Sequence, residues 1–204
     1  MAKRSKPGRR KQVAPRRLRA SAGVSSNGLR VVFTEKQIQK RVRELADQIN
    51  RDYKGKALDV VGILENCFMF MADLLRALKV PVVCHFMKVE TRDRLIALRE
   101  LLYTPKVDVA GKDVLLVDGV LQSGVVQDHL IRYVLGQRPA SLRAATLVEK
   151  TVERKVAVTT EYLGFKTSAK YLVGYGLGYD EKYRNLPYIA ALPGREAAAV
   201  PGSI

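Results

Sequence analysis

The stretch Val114-Leu-Leu-Val-Asp-Gly-Val-Leu-Gln-Ser-Gly-Val-Val-Gln127 constrains the fold more than any other part of the chain. Its apolar run at 114–117 reads as a buried parallel strand; an acidic residue and two glycines then turn the chain, and a helix begins near Ser123. Strand, glycine-bearing turn and helix start together make a phosphate cradle. Backbone N–H groups of such a turn point at one spot, and the helix N-terminus adds about half a positive charge there. Glycine lets that backbone approach a ligand closely. Many α/β proteins end a strand this way without binding anything, so the pattern fixes a fold class before it fixes a ligand.

The chain on either side repeats the alternation of strand and helix. After a short strand at 29–33, Thr34-Glu-Lys-Gln37 has the form of a capping box. Ile38, Val42, Leu45 and Ile49 recur at helical spacing, which predicts an amphipathic helix ending before Gly55. Residues 58–64 read as a buried strand, 68–78 as a second helix with Met69, Ala72 and Leu75 in the core, and 80–89 as a strand opened by Pro81. Between 90 and 112, Leu95, Ile96, Leu98, Leu101 and Leu102 fit either a helix or a β-hairpin, and so short a run does not decide by periodicity. The central helix is expected from Ser123 to Leu135, stopping at Gly136, with two further strands at 141–149 and 171–175. This order predicts an α/β domain: a mainly parallel central sheet with helices on both faces and ligands at the carboxyl ends of the strands.

A chain of 204 residues suits one such domain, at 29–204, preceded by a tail at 1–28. The 47% hydrophobic content holds no run of roughly 20 apolar residues, so no membrane span is expected. Cys67 and Cys84 sit in apolar stretches and read as reduced core residues rather than a disulfide or metal pair. His85 and His129 are the only histidines, and zinc is not expected from them. Free thiols and the lack of a secretory signal suit the cytoplasm; an organelle transit peptide is the other reading of an Arg-rich, acid-free N-terminus.

Charge is the unusual bulk property, with 36 basic against 20 acidic residues and a formal net charge of +16. Lys3, Arg4, Lys6, Arg9, Arg10, Lys11, Arg16, Arg17 and Arg19 place nine positive charges in the tail, with no acid among them. That segment has almost no large apolar side chain to offset the entropy of ordering, so it is expected to be disordered when free. Its functional reading is contact with RNA or another polyanion by counterion release, and its plain reading is a solubilising tail.

Four separated segments in fixed order carry a resemblance. They are Phe33-Thr-Glu-Lys-Gln-Ile38; Val61-Gly-Ile-Leu-Glu-Asn-Cys-Phe-Met-Phe-Met-Ala-Asp-Leu-Leu75; Gly111-Lys-Asp-Val-Leu-Leu-Val117 with its turn; and Lys170-Tyr-Leu-Val-Gly-Tyr-Gly-Leu-Gly-Tyr-Asp-Glu-Lys-Tyr-Arg-Asn-Leu186. Across residues 30 to about 193 the chain resembles the hypoxanthine-guanine phosphoribosyltransferases and is identified as a member of that family. The resemblance implies the type I phosphoribosyltransferase fold and a reaction that moves ribose 5-phosphate from phosphoribosyl pyrophosphate to a purine nitrogen. It also implies magnesium as cofactor where the enzyme is active, and a homo-oligomer.

Carried over residue by residue, the resemblance is uneven. Lys150 takes the place of the lysine that contacts the purine's exocyclic oxygen, Tyr171 that of the stacking ring, Leu172 that of the backbone reading the base edge, and Arg184 that of an arginine near the pyrophosphate. Ser123, Gly124, Val125 and Val126 take the 5′-phosphate loop, where the two valines supply no hydroxyl. Asp118 and Gly119 take the paired ribose and metal carboxylates, leaving Asp118 as the one metal candidate. Gln122 stands at the general-base position, and its amide takes no proton at neutral pH. Glu65 and Asn66 replace Lys-Gly in the pyrophosphate loop, and Gly178 replaces an aspartate of the second magnesium. The lid region at 90–104 has no Ser-Tyr pair. These departures imply a homologue that has lost most or all catalysis and acts by binding RNA or another polyanion through its tail, alone or as a subunit of a ribonucleoprotein, with room for a purine base or nucleotide at the old site. The alternative is an active purine salvage enzyme making IMP or GMP.

Overall fold

The computed structural model describes residues 28–91, 101–104 and 107–192. The tail residues named above, and Leu95, Ile96 and Leu98, lie outside the described residues. Nine strands and three helices follow one another among those described: β1 Arg30–Phe33, α1 Glu35–Asp52, β2 Leu58–Leu64, α2 Phe68–Ala77, β3 Val82–Thr91, β4 Leu101–Thr104, β5 Asp113–Leu121, α3 Val125–Gly136, β6 Ser141–Lys150, β7 Tyr162–Thr167, β8 Leu172–Val173 and β9 Ile189–Ala191. Six strands form the main sheet in the order β4-β3-β2-β5-β6-β7, and β1, β9 and β8 form a small one. Within the main sheet β3, β2, β5, β6 and β7 run parallel, and β4 alone is antiparallel, against β3. This is the type I phosphoribosyltransferase architecture.

Alternation along the central strands sends neighbouring side chains to opposite faces. Leu58 and Val60 of β2, with Leu115 and Val117 of β5, meet α1 and α2 in one core; Val61, Ile63, Val114 and Leu116 meet Leu130 and Val134 of α3 in a second. Both faces are therefore covered. The helix α1 starts where its capping box predicts: the Thr34 side chain accepts from Gln37 N, and the Gln37 side chain accepts from Thr34 N at 2.8 Å. Ile38, Val42, Leu45 and Ile49 are all buried.

Several sequence expectations need correction. The chain does not turn at Asp118-Gly119, because both stay in β5, whose ladder with β6 extends to Leu121 opposite Glu149. The turn is Gln122-Ser123-Gly124, and α3 begins at Val125 because Gly124, with φ of 84°, cannot be helical. Gly136 is the last residue of α3, where the sequence stops the helix, and the chain takes a left-handed turn two residues on at Arg138, whose φ is 58°. The core face of α2 is Phe70, Met71 and Leu74; Met69, Ala72 and Leu75 are only partly buried. Gly62 sets that rotation, since a Cβ there would lie 2.3 Å from Met71 Sδ.

Residues 171–175 do not add to the main sheet. Only Leu172 and Val173 are extended, paired antiparallel with Ala191 and Ala190. Cys67 is buried but Cys84 is exposed on β3, and both are free thiols. Residues 101–104 settle as a strand, not a helix, paired with β3. The strands β7 and β9 were not anticipated. No helix among the described residues is long and apolar enough to cross a membrane.

Candidate active site

The carboxyl ends of β2, β5 and β6 lie side by side, and each is followed by a segment of the predicted site, as parallel sheets require. Asp118 and Gly119 sit near the end of β5, and Lys150 closes β6. Glu65 and Asn66 follow β2 across a cis Leu64–Glu65 peptide. Gly124 caps α3, and a Cβ there would meet the Val156 carbonyl oxygen at 2.3 Å. The Ser123 carbonyl accepts from Lys155 N at 2.9 Å and Val156 N at 3.0 Å, so the 151–161 loop is pinned across the Gln122–Gly124 turn. The Ser123 hydroxyl accepts from Val125 N at 3.4 Å. Val126 is the second residue of α3 and is partly buried against the α3-side core.

At the carboxyl end of β6, Lys150 is 5% exposed. Its ammonium donates to Gln122 Oε1 at 3.0 Å, and Gln122 Nε2 donates to Glu153 Oε2 at 2.7 Å. Burial lowers the Lys150 pKa, and the charge of Glu153 opposes that fall. Gln122 at the base position is thus a relay between a cation and an anion. Tyr171 is half-buried, and its carbonyl accepts from Leu192 N at 3.1 Å. Leu172 is buried, its side chain in the main core, so only its backbone can serve a ligand.

Asp118 lies in the interior, 6% exposed. Gln127 Nε2 donates to its Oδ2 at 2.5 Å and Val120 N to its Oδ1 at 3.3 Å. Burial pushes its carboxyl up from 3.8 to about 6 against those hydrogen bonds. Gly119 has no room for a side chain: a Cβ would stand 2.2 Å from Asn66 O and 2.7 Å from Asn66 C. Cys67 next to this loop is held as a thiol, its pKa pushed up to about 12 by burial and then by the charge of Asp118.

Arg184 crosses over Gly178, where a Cβ would lie 2.7 Å from its guanidinium carbon. Its Nη1 donates to Asn66 Oδ1 and Gly176 O, both at 2.9 Å; its Nη2 faces Glu65 Oε2 at 3.1 Å and donates to Glu181 Oε2 at 3.4 Å. Lys88 Nζ stands 3.6 Å from Glu65 Oε1.

Magnesium, which the family implies, does not fit these residues. It demands near-octahedral oxygen coordination, usually anchored by one or two carboxylates. Asp118 spends an oxygen on Gln127 and another on Val120, the place above Gly119 is filled by backbone, and Gly178 lies under a guanidinium. No group of three or more His, Cys, Asp or Glu able to hold a metal occurs among the described residues.

Sequence reasoning passed over three residues the site depends on. Gln127 holds Asp118 one helical turn into α3. Glu153 orients Gln122. Arg154 donates Nη2 to Glu149 at 2.9 Å while its Nη1 is buried without a hydrogen-bond partner, 3.3 Å from where a Cβ on Gly124 would be. Glu149-Lys150 and Glu153-Arg154 repeat one acid-base pair across a loop, which was the available signal.

A parallel five-stranded sheet with its polar residues gathered at the strands' carboxyl ends, beside a glycine-capped helix, defines a phosphoribosyltransferase-type α/β protein. Residues 32–181 match the phosphoribosyl transferase domain family. The hypoxanthine-guanine phosphoribosyltransferase of Dictyostelium discoideum is 37% identical over 169 residues, covering 79% of this chain and 94% of that protein. The hypoxanthine phosphoribosyltransferase of Salmonella typhimurium is 39% identical over 170 residues, covering 78% and 92%. The solved hypoxanthine-guanine phosphoribosyltransferase of Bacillus anthracis matches with a TM-score of 0.74 at 36% identity, over 79% of this chain and 96% of that one. The chain belongs to the hypoxanthine-guanine phosphoribosyltransferase family.

Proposed function

We propose that this protein recognises a 6-oxopurine and its 5′-nucleotide, the ligands of purine salvage, and acts as a phosphoribosyltransferase of strongly reduced turnover. The observation that carries the reading is Lys150, buried at the end of β6 with its ammonium turned to the polar cluster of Gln122 and Glu153. A desolvated ammonium suits an exocyclic purine oxygen, because charge-assisted hydrogen bonds are the strong ones. The names of the relatives support the same ligand class. The reduced rate follows from Gln122, since losing a positioned general base typically removes about 10²- to 10⁴-fold.

The test is GMP and IMP formation from the bases and phosphoribosyl pyrophosphate, run beside the Salmonella relative. Turnover at least about a hundredfold below the relative's is expected, with Lys150→Met weakening GMP binding about tenfold or more. Turnover equal to the relative's refutes the impairment, and failure to bind either nucleotide refutes the reading. A role in RNA binding has only the basic composition in its favour, and nothing among the described residues points to RNA. Salt-sensitive RNA retention lost on deleting 1–28 is the result that would favour it.

A further inference from the structure

The two ends of the site are built differently. At the pyrophosphate end the terminal nitrogens of Arg184 face four oxygens of the chain itself, two on Nη1 and two on Nη2, and its buried Nε has no partner among the described residues. A guanidinium has five N–H donors in a fixed fork, so turning any terminal donor toward a pyrophosphate breaks an existing contact. Glu65 and Glu181 bring two carboxylates to that place, on which Arg184 and Lys88 already spend their charge, and a pyrophosphate would meet those carboxylates at close range. Opposite them the Asn66 backbone fills the space over Gly119.

At the other end Lys150 and Arg154 are balanced by Glu153 and Glu149, but one guanidinium donor is left over. Lys150 closes β6, and Arg154 Nη1 is buried and unpartnered beside the Gly124 turn, where α3 begins and its dipole adds positive character. The ion pair with Glu149 fixes Arg154 from behind. One end therefore keeps a guanidinium donor for a single phosphate, while at the other every terminal donor of Arg184 is already taken.

We infer that the site discriminates by phosphate arrangement: it takes a purine nucleoside 5′-monophosphate without a divalent cation and turns away phosphoribosyl pyrophosphate, with Glu65 closing the pyrophosphate side. This rests on the purine reading above and deepens it, because the slow turnover then lies in loading the donor substrate as well as in the missing base.

Calorimetric titration of the full chain with GMP and with phosphoribosyl pyrophosphate, each in magnesium chloride and in EDTA, tests it. The GMP dissociation constant is expected to agree within about twofold between the two buffers, and phosphoribosyl pyrophosphate to bind at least about a hundredfold more weakly. Glu65→Gln, its fold checked by near-ultraviolet circular dichroism, should gain about three- to tenfold for phosphoribosyl pyrophosphate, the scale of a half-exposed ion pair plus the repulsion removed. Glu65→Lys should gain more. GMP binding that requires magnesium, phosphoribosyl pyrophosphate binding as tightly as GMP, or no gain in either Glu65 variant overturns the inference and leaves the purine reading standing. No GMP binding in either buffer overturns both.

Discussion

Restoring the family's second carboxylate at Gly119 should damage this protein rather than repair it. The Cβ of any side chain at 119 lands 2.2 Å from Asn66 O and 2.7 Å from Asn66 C, where ordinary contact begins at 3.4 Å. Both are backbone atoms, so no rotamer change relieves the clash and the loop after β2 must retreat by roughly 1 Å. That retreat strains the 2.9 Å bond from Arg184 to Asn66. Overpacking of this kind costs about 1–3 kcal/mol. At a midpoint of about 2 kcal/mol, a chain of this length loses roughly 4–8 °C in melting temperature. Differential scanning calorimetry of Gly119→Ala isolates the steric part. Gly119→Asp should fall further, because it adds a second carboxylate beside buried Asp118. A Gly119→Ala protein melting within about 1 °C of its parent would refute the reasoning, and with it the statement that the loop occupies the metal side of the site.

Asp118 makes stability depend on pH. Its carboxyl is lifted from 3.8 to about 6 by burial, so the folded state holds the proton more tightly than the unfolded chain. Its contribution is fully present below pH 3.8 and is lost as pH rises through 6, a loss of about 3 kcal/mol at most. Asp118→Asn should therefore melt several degrees above the parent at pH 7.5 and close to it at pH 4; an equal gap at both pH values in thermal scans counts against ionisation as the cause. Thr34→Ala removes one side of the α1 capping box and should cost about 0.5–2 kcal/mol in urea unfolding at unchanged slope. An unaltered midpoint would mean that tertiary packing alone sets the start of α1.

The fold was legible where pattern and packing agree. The apolar β2 and β5 runs, the 3.6-residue spacing of α1 and its capping box each specify one element, and each element formed there, β5 running past its apolar stretch to Leu121. The register of α2 was missed because its periodicity is nearly all apolar, and the decisive contact, Met71 over Gly62, belongs to another strand. The strand β7 was missed because Tyr162–Thr167 alternates weakly, with Gly164 in its middle; its place depends on the ladder with β6, a long-range fact. At the site, residue types marked Gln122, Gly119 and Glu65 as departures from the family resemblance. They could not disclose what those positions touch, because Arg184 finding Glu65 and Asn66, or Gln127 finding Asp118, joins residues that only the fold brings together.

The small sheet joins the first described strand to the last, β1 beside β9 and β9 beside β8. The six strands of the main sheet, by contrast, are complete by Thr167. During synthesis, where domains fold as they emerge from the N-terminal side, the main sheet can close while β1 waits without a neighbour. The segment carrying Tyr171 and Leu172 acquires its ladder only once Ala191 has left the ribosome. A nascent chain stalled before that point would carry the finished Gln122–Gly124 turn beside an unfinished 171–173 edge, so the two halves of the proposed site mature at different times.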